Sequence, residues 1–536
     1  MIQDPIRKGL DSGWKVIDAS KVEAERNFDA DVVIVGTGAG GGVSAEILAR
    51  AGLNVLLVEE GPLKSTRDFK MREAQAYPYL YQESAARKTK DKGINILQGR
   101  CVGGSTTVNW TSSFRTPPMT LEYWRRSFGL GELSAETLAP WFEMMERRLG
   151  IHPWPVMPNE NNEVLRRGGL QLGIRVEAIQ RNVRGCWNLG YCGMGCPTNA
   201  KQSMLITTIP AALERGATLI TRLRADRFLM QGDRVLALEC VAMQPDGIRS
   251  RQLRLWLRAR HFVLAAGAIG SPGLLLRSGA PDPHRLTGAR TFLHPTVVAA
   301  ALMPERVAGF AGAPQSLYSD HFLGPGPVDG PMGFKLEAPP LHPVLFSTTL
   351  HGYGEGHARL MREFAHVQAL IALMRDGFNA ESEGGRVELR ADGTPLLDYP
   401  LNDFLWAGAR RALLAMAEIQ FAAGARRVYV VHEQCEGYTS WQQAREAIAS
   451  LPLRVHITRV VSAHVMGGCA MSADPPQGVV DVNGCHHQLA NLSIFDGSVF
   501  PTSIGANPQL SIYGLTARNA SRLARALTGQ PAPALA

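Results

Sequence analysis

No stretch of this chain reads as a membrane span. The longest apolar run, Phe262 to Leu276, is interrupted by Gly and Pro and falls short of the roughly 20 residues that a spanning helix needs. The opening MIQDPIRKGLDSGWKVID contains no apolar core of the kind a secretory signal carries. These absences predict a protein made in the cytoplasm. They leave open a peripheral place at a membrane, or export beside a signal-bearing partner. A dense Lys/Arg block and any nucleic-acid motif are also missing, so the formal net charge of +8 reads as a solvated basic surface and nucleic acid is not an expected partner. No internal repeat and no long low-complexity segment occur. Cysteine is sparse, at eight residues. In a large chain without a signal these read as free thiols or metal ligands, not as a disulfide frame.

Glycine is abundant, at 55 of 536 residues, and its placement is informative. In DVVIVGTGAGGGVSAEILARAGLNVLLVEEGP, the β-branched run Val32 to Val35 predicts a strand buried on both faces. Gly36, Gly38 and Gly41 follow at GxGxxG spacing. The first permits a tight turn, the second lets a pyrophosphate approach the backbone, and the third lets helix and strand pack closely. Val43 to Arg50 predicts a helix whose N-terminus faces the phosphates, and Gly52 stops it. Asn54 to Val58 predicts a second strand, ending at Glu59 where a ribose hydroxyl needs an acceptor. The motif alone does not separate NAD from FAD.

A chain of this length predicts two or more domains. Residues 1–28 read as an N-terminal arm. Residues 202–215 read as a helix containing Pro210. From Arg234 to Gly267 the pattern gives successive strands with QPDG as a turn. Pro/Gly loops and helical stretches, including LNDFLWAGARRALLAMAEIQFAAG, fill the middle, and Leu510 to Leu527 predicts a C-terminal helix. The expectation is an α/β fold: a discontinuous Rossmann-like cofactor domain (29–300 and 456–536), with a parallel sheet plus a β-meander, and an α+β substrate domain (301–455).

Four segments together resemble the glucose–methanol–choline (GMC) family of flavin oxidoreductases. They are the fingerprint above, GRCVGGSTTVN (Gly99 to Asn109), GAIGSPGLLLRSG (Gly267 to Gly279), and HVMGGCAM with the tail NLSIFDGSVFPTSIGANPQLSIYGLTARNASRLA. The third departs from the family where AP follows Gly279. The tail is similar to the cholesterol oxidase and long-chain alcohol oxidase branches. The resemblance implies FAD as the cofactor, with Arg100, Gly103, Gly104 and Ser105 near the flavin or pyrophosphate. Asn109 stands where some relatives carry a His bonded to the flavin, which implies non-covalent FAD. Asp496 and Gly497 end a strand-like run, where a carboxylate either contacts ribityl hydroxyls or orders a helix N-terminus.

The resemblance further implies oxidation of an alcohol to an aldehyde or ketone. His is the side chain suited to accept the hydroxyl proton near neutral pH, and His464 in HVMGG matches the family's catalytic position. Asn507 in GANPQ matches the second active-site position, where an amide holds the substrate oxygen. Glu337 in FKLEAPPLHP and His294 in LHPTV are further candidate lining residues. The expected substrate is a hydrophobic alcohol, with a sugar or polyol second. The expected electron acceptor is a quinone, cytochrome or dye, with an oxygen-using oxidase as the alternative. A non-oxidising flavoprotein on the same scaffold is the reading from a different class. Cys186, Cys192 and Cys196 lie in one Gly-rich loop at CxxxxxCxxxC spacing, followed by Pro197. Three such thiols can wrap an iron–sulfur cluster, and the spacing resembles the [3Fe-4S] loop of flavin-dependent sugar dehydrogenases. Buried or disulfide-forming cysteines are the alternative.

Overall fold

A computed structural model of the chain describes residues 2–324 and 326–535. Two large sheets organise it. The first is ordered Lys15–Asp18, Thr218–Thr221, Val55–Glu59, Arg26–Val35, Ser250–Leu264, Arg234–Met243 and Leu223–Gln231, with Leu492–Ile494 also on Ser250–Leu264. The first five strands pair parallel. The last three form an antiparallel meander. This is the parallel sheet plus meander expected from the sequence. Residues 15–18, read as part of an arm, form the edge strand instead.

Val32 to Val35 and Val55 to Val58 are buried throughout, as strands covered on both faces must be. The helix Ala39–Arg50 begins four residues before the expected Val43 and packs beside Gln509–Thr528. In the expected helix 202–215, only Thr208–Leu213 is helical. The residues before it are held in turns, with Met204 donating its amide to Thr106 Oγ1 (3.0 Å) and Gln202 donating to Asn182 O (3.0 Å).

The second sheet runs Ile94–Ile96, Val460–Ser462, Thr296–Leu302, Val367–Met374, Phe334–Glu337, Leu317–Ser319 and Glu177–Ala178, with Arg427–Val430 on Thr296–Leu302. It is antiparallel except where Val460–Ser462 meets Ile94–Ile96. The helix Asp403–Ala422 packs across it, capped by the Asn402 side chain. Several of these strands lie outside 301–455 in the chain. Two of their ends, after Ile96 and Ser462, run into Leu97, Gln98, Ala463 and His464, which line the same cavity as the glycine turn.

Candidate active site

Each glycine of the fingerprint has a separate steric reason. Gly36 has φ +98°, and a Cβ there would fall on the carbonyl oxygen of Ala265. A Cβ on Gly41 would fall on the carbonyl of Gly36, so only glycine lets the helix approach the turn. Gly38 differs. A Cβ there would meet nothing closer than Gly104 Cα at 3.9 Å, leaving space over the helix N-terminus, whose first amides lack intrahelical acceptors. Gly104, at φ +52° and ψ −143°, faces the same space, and a Cβ on it would lie 2.8 Å from Gly38 Cα. Gly103 donates its amide to Thr37 Oγ1 (3.0 Å), tying the two glycine loops together. Ser105 accepts from the Gly99 amide (2.9 Å).

Glu59 ends its strand buried. It accepts from the Thr37 hydroxyl and amide and from the Gly61 amide (2.9 Å). Burial pushes its carboxyl up to about 7, against the pull of these donors and with a small push from neighbouring Glu60. Arg100 is buried, donates to Gly247 O, and stands 3.8 Å from Glu60. The Asp496 carboxylate accepts from Gly267 N (2.8 Å) and Ser271 Oγ (2.6 Å) through Oδ2 and from Ser498 N (2.8 Å) through Oδ1. These bonds order the helix starts at 267 and 497, one of the two roles expected of it. Asn109 donates to Gln509 Oε1 (2.7 Å), and Gln509 donates in turn to Ser112 O, Ser113 Oγ and Asn182 Oδ1.

Of these, Gly36, Gly38, Glu59, Arg100, Gly104, Ser105, Asn109, Asp496 and Gln509 border one cavity of about 750 Å³, which the sequence-derived candidates Gly497, His464 and Asn507 also line, while Gly41 and Gly103 do not reach it. His464 follows the strand Val460–Ser462, and Asn507 precedes the helix Gln509–Thr528. The buried Asn507 amide donates to Glu337 Oε2 (3.3 Å), and its Oδ1 has no protein partner. Gln315, another cavity residue, also donates to Glu337 Oε2. His464 and His294 approach through their Nδ1 atoms at 3.2 Å. Burial, then the nearby Lys335 charge, push His464 down to about 4.

Gln315 and Lys335 were not visible as site residues in the sequence. Lys335 is 2% exposed, with Nζ 3.2 Å from the Phe114 ring centre and 4.0 Å from that of Tyr318. Burial pushes its ammonium down and the Glu337 carboxyl up, and each partly offsets the other. Removing one member of a buried charge pair leaves the other uncompensated, at about 3 kcal/mol or more. Glu337→Leu should therefore lower stability to urea by about that much. Lys335→Met in the same chain should recover part of the loss, the remainder being the acceptor that Gln315 and Asn507 lose. A double variant no more stable than Glu337→Leu would show that the two charges are not coupled.

The [3Fe-4S] expectation requires correction. Among the described residues no three His, Cys, Asp or Glu side chains converge to hold a metal ion. The three thiols take separate protein partners instead. Asn188 N donates to Cys186 (3.4 Å), Arg181 Nη2 to Cys192 (3.7 Å) and Lys201 N to Cys196 (3.5 Å). The loop is fastened behind the glycine segment by buried Lys201, whose Nζ donates to Thr107 O, Asn109 O and Cys192 O (2.6–2.9 Å). All eight cysteines are free.

Residues 77–296 and 380–516 match the N- and C-terminal parts of the GMC oxidoreductase family. The chain belongs to that family, and its fold is the family's FAD-binding, Rossmann-like fold. A long-chain-alcohol oxidase of Arabidopsis thaliana is 27% identical, over 96% of this chain and 69% of that one. An uncharacterized GMC-type oxidoreductase of Mycobacterium tuberculosis is 30% identical, over 91% and 74%. Among solved structures, formate oxidase from Aspergillus oryzae superposes with a TM-score of 0.69 at 16% identity, covering 94% of this chain and 99% of that one. Pyridoxine 4-oxidase from Mesorbium loti gives 0.67 at 20% identity, covering 92% and 98%. No helix among the described residues is long and apolar enough to cross a membrane.

Proposed function

We propose that this protein is an FAD-dependent oxidoreductase that converts a hydrophobic alcohol to its aldehyde or ketone, with FAD held non-covalently. The observation that carries this reading is the meeting of His464 and Asn507 with the GxGxxG turn in one cavity. Gly38, Gly104 and the start of the helix Ala39–Arg50 suit a pyrophosphate, and Glu59 suits ribose hydroxyls. Asn109, lacking a nucleophilic ring nitrogen, suits a flavin held without a covalent bond.

FAD supplies the acceptor for the hydride that leaves the carbinol carbon. The protein's part is to move the proton and hold the oxygen. His464, kept neutral at physiological pH by burial, presents a ring nitrogen able to take the hydroxyl proton. Asn507, fixed on one side by Glu337, presents the rest of its amide to the substrate oxygen. Residues 301–455 contribute Glu337 and Gln315 from behind and are proposed to form the substrate side. A long-chain alcohol is favoured by the likeness to the plant oxidases.

The expected non-oxygen acceptor leaned in part on the cluster, and that support is gone. Oxygen uptake during turnover would mark an oxidase. Turnover only with a quinone, cytochrome or dye would mark a dehydrogenase with a redox partner. The reading is tested by anaerobic addition of long-chain primary alcohols, sterols and sugars to the purified protein. Reduction of bound flavin by the first group, and not by sugars, is expected. Reduction by sugars alone would overturn the substrate assignment.

Glu59 gives a pH test of cofactor binding. Its carboxyl is held near 7 without cofactor, while ribose hydroxyls favour the ionised form, so binding FAD releases a proton. Affinity should therefore rise between about pH 5 and 7, by at most tenfold per pH unit, and then level off. Glu59→Gln should weaken binding by about tenfold and flatten this profile, as read by fluorescence titration of apoprotein. An unchanged profile in the variant would remove Glu59 from the cofactor site.

A further inference from the structure

We infer that His294 is a positioning residue that fixes the tautomer of His464, accepting a hydrogen bond from His464 Nδ1 so that the cavity-facing Nε2 keeps its lone pair. This rests on the proposed function and says how its base is prepared. The two Nδ1 atoms stand 3.2 Å apart with ring centres at 5.4 Å. A hydrogen bond at that distance requires one proton between them. Burial keeps both rings neutral, pushing His464 to about 4 and His294 well below its usual range, with Lys335 and Arg375 adding to the effect. Each imidazole therefore carries one N–H, and the shared contact decides which nitrogen of His464 is left bare.

The backbone around His294 is built to hold this contact. His294 is fully buried and sits at φ +50°, a left-handed conformation, directly before Pro295. Such strain persists only where surrounding structure over-determines it. Here the buried Asp376 carboxylate accepts from the amides of both Leu293 (3.0 Å) and His294 (3.1 Å), and Tyr399 donates its hydroxyl to the same carboxylate (2.7 Å). On the other side, Ser462 donates to Leu293 O and accepts from the His464 amide (3.3 Å). With Nδ1 accepting, the single His294 proton lies on Nε2, which has no protein partner, and His464 is the one side chain its ring nitrogens meet. Without such a neighbour His464 would divide between tautomers, and the form with a proton on Nε2 cannot act as base.

The test is ¹⁵N NMR of histidine-labelled protein, with the His464 ring assigned by its loss in His464→Asn. The expected wild-type pattern is a protonated Nδ1 and a bare Nε2 on His464. Two variants add kinetics. His294→Leu, which removes the acceptor, should lower kcat by roughly 10²-fold, with KM changed less than about threefold. His294→Asn tolerates a positive φ and keeps an acceptor, so it should retain kcat within about tenfold. A proton on Nε2 of wild-type His464 would overturn the inference, whether or not the Leu variant folds. So would a folded His294→Leu protein with unchanged kcat. If His464→Ala is also fully active, it is the proposed function that fails, and the tautomer pattern still reports separately on the His294 contact.

Discussion

His464→Ala should lower the rate of alcohol-driven flavin reduction by about 10³-fold while FAD stays bound. The magnitude follows from the 10²–10⁴-fold that a positioned general base contributes. Retention of cofactor follows from the placement of His464 after the strand Val460–Ser462, apart from the glycine turn and Glu59. Truncation leaves no buried charge but takes from buried His294 its one ring-nitrogen partner, at about 1–3 kcal/mol, so the melting temperature should fall modestly. Stopped-flow absorbance under anaerobic conditions separates the outcomes. A variant that holds FAD and bleaches as fast as wild type would remove His464 from the chemistry. A variant that loses FAD would instead make it a structural residue.

Gly104→Ala should have the second large effect, on cofactor binding. Gly104 sits at φ +52° and ψ −143°, a region close to glycine-only, where another residue costs about 1–3 kcal/mol. The added Cβ would also lie 2.8 Å from Gly38 Cα, in the space over the helix N-terminus. Backbone must move at the point where the proposed pyrophosphate site takes in both glycines. FAD affinity is expected to fall by at least about 100-fold, with the protein purifying largely colourless. Gly52→Ala is the control. Gly52 also has positive φ, at +82°, but a Cβ there meets nothing within 4 Å. It should cost about 1 kcal/mol of stability and leave affinity unchanged. Equal losses of affinity in both variants would mean that backbone strain, and not the cradle, was being measured.

The nucleotide-binding half was legible because its signals are local. Val32 to Val35, the three spaced glycines and Glu59 each state their geometry within about thirty residues. The neighbourhood of His464 was less so. Nothing in HVMGG reveals that its imidazole meets His294, 170 residues away in sequence. Phe334–Glu337 was opaque for a different reason. FKLE alternates as a strand with one polar face toward water would, yet all four residues are buried, because Phe114 and Tyr318 close over Lys335 and Gln315 and Asn507 over Glu337. The cysteine loop shows the reverse hazard. Its spacing suggested a cluster, while Arg181 and Lys201, each five residues outside the cysteines in the chain, give two of its thiols polar neighbours and anchor its backbone.

The most direct measurement is the absorbance spectrum of the purified protein, recorded anaerobically before and after a long-chain primary alcohol is added. The account predicts flavin bands near roughly 370 and 450 nm, with loss of the longer-wavelength band on addition of alcohol. A protein that cannot be reconstituted with FAD, or whose bound flavin no alcohol reduces, would contradict it.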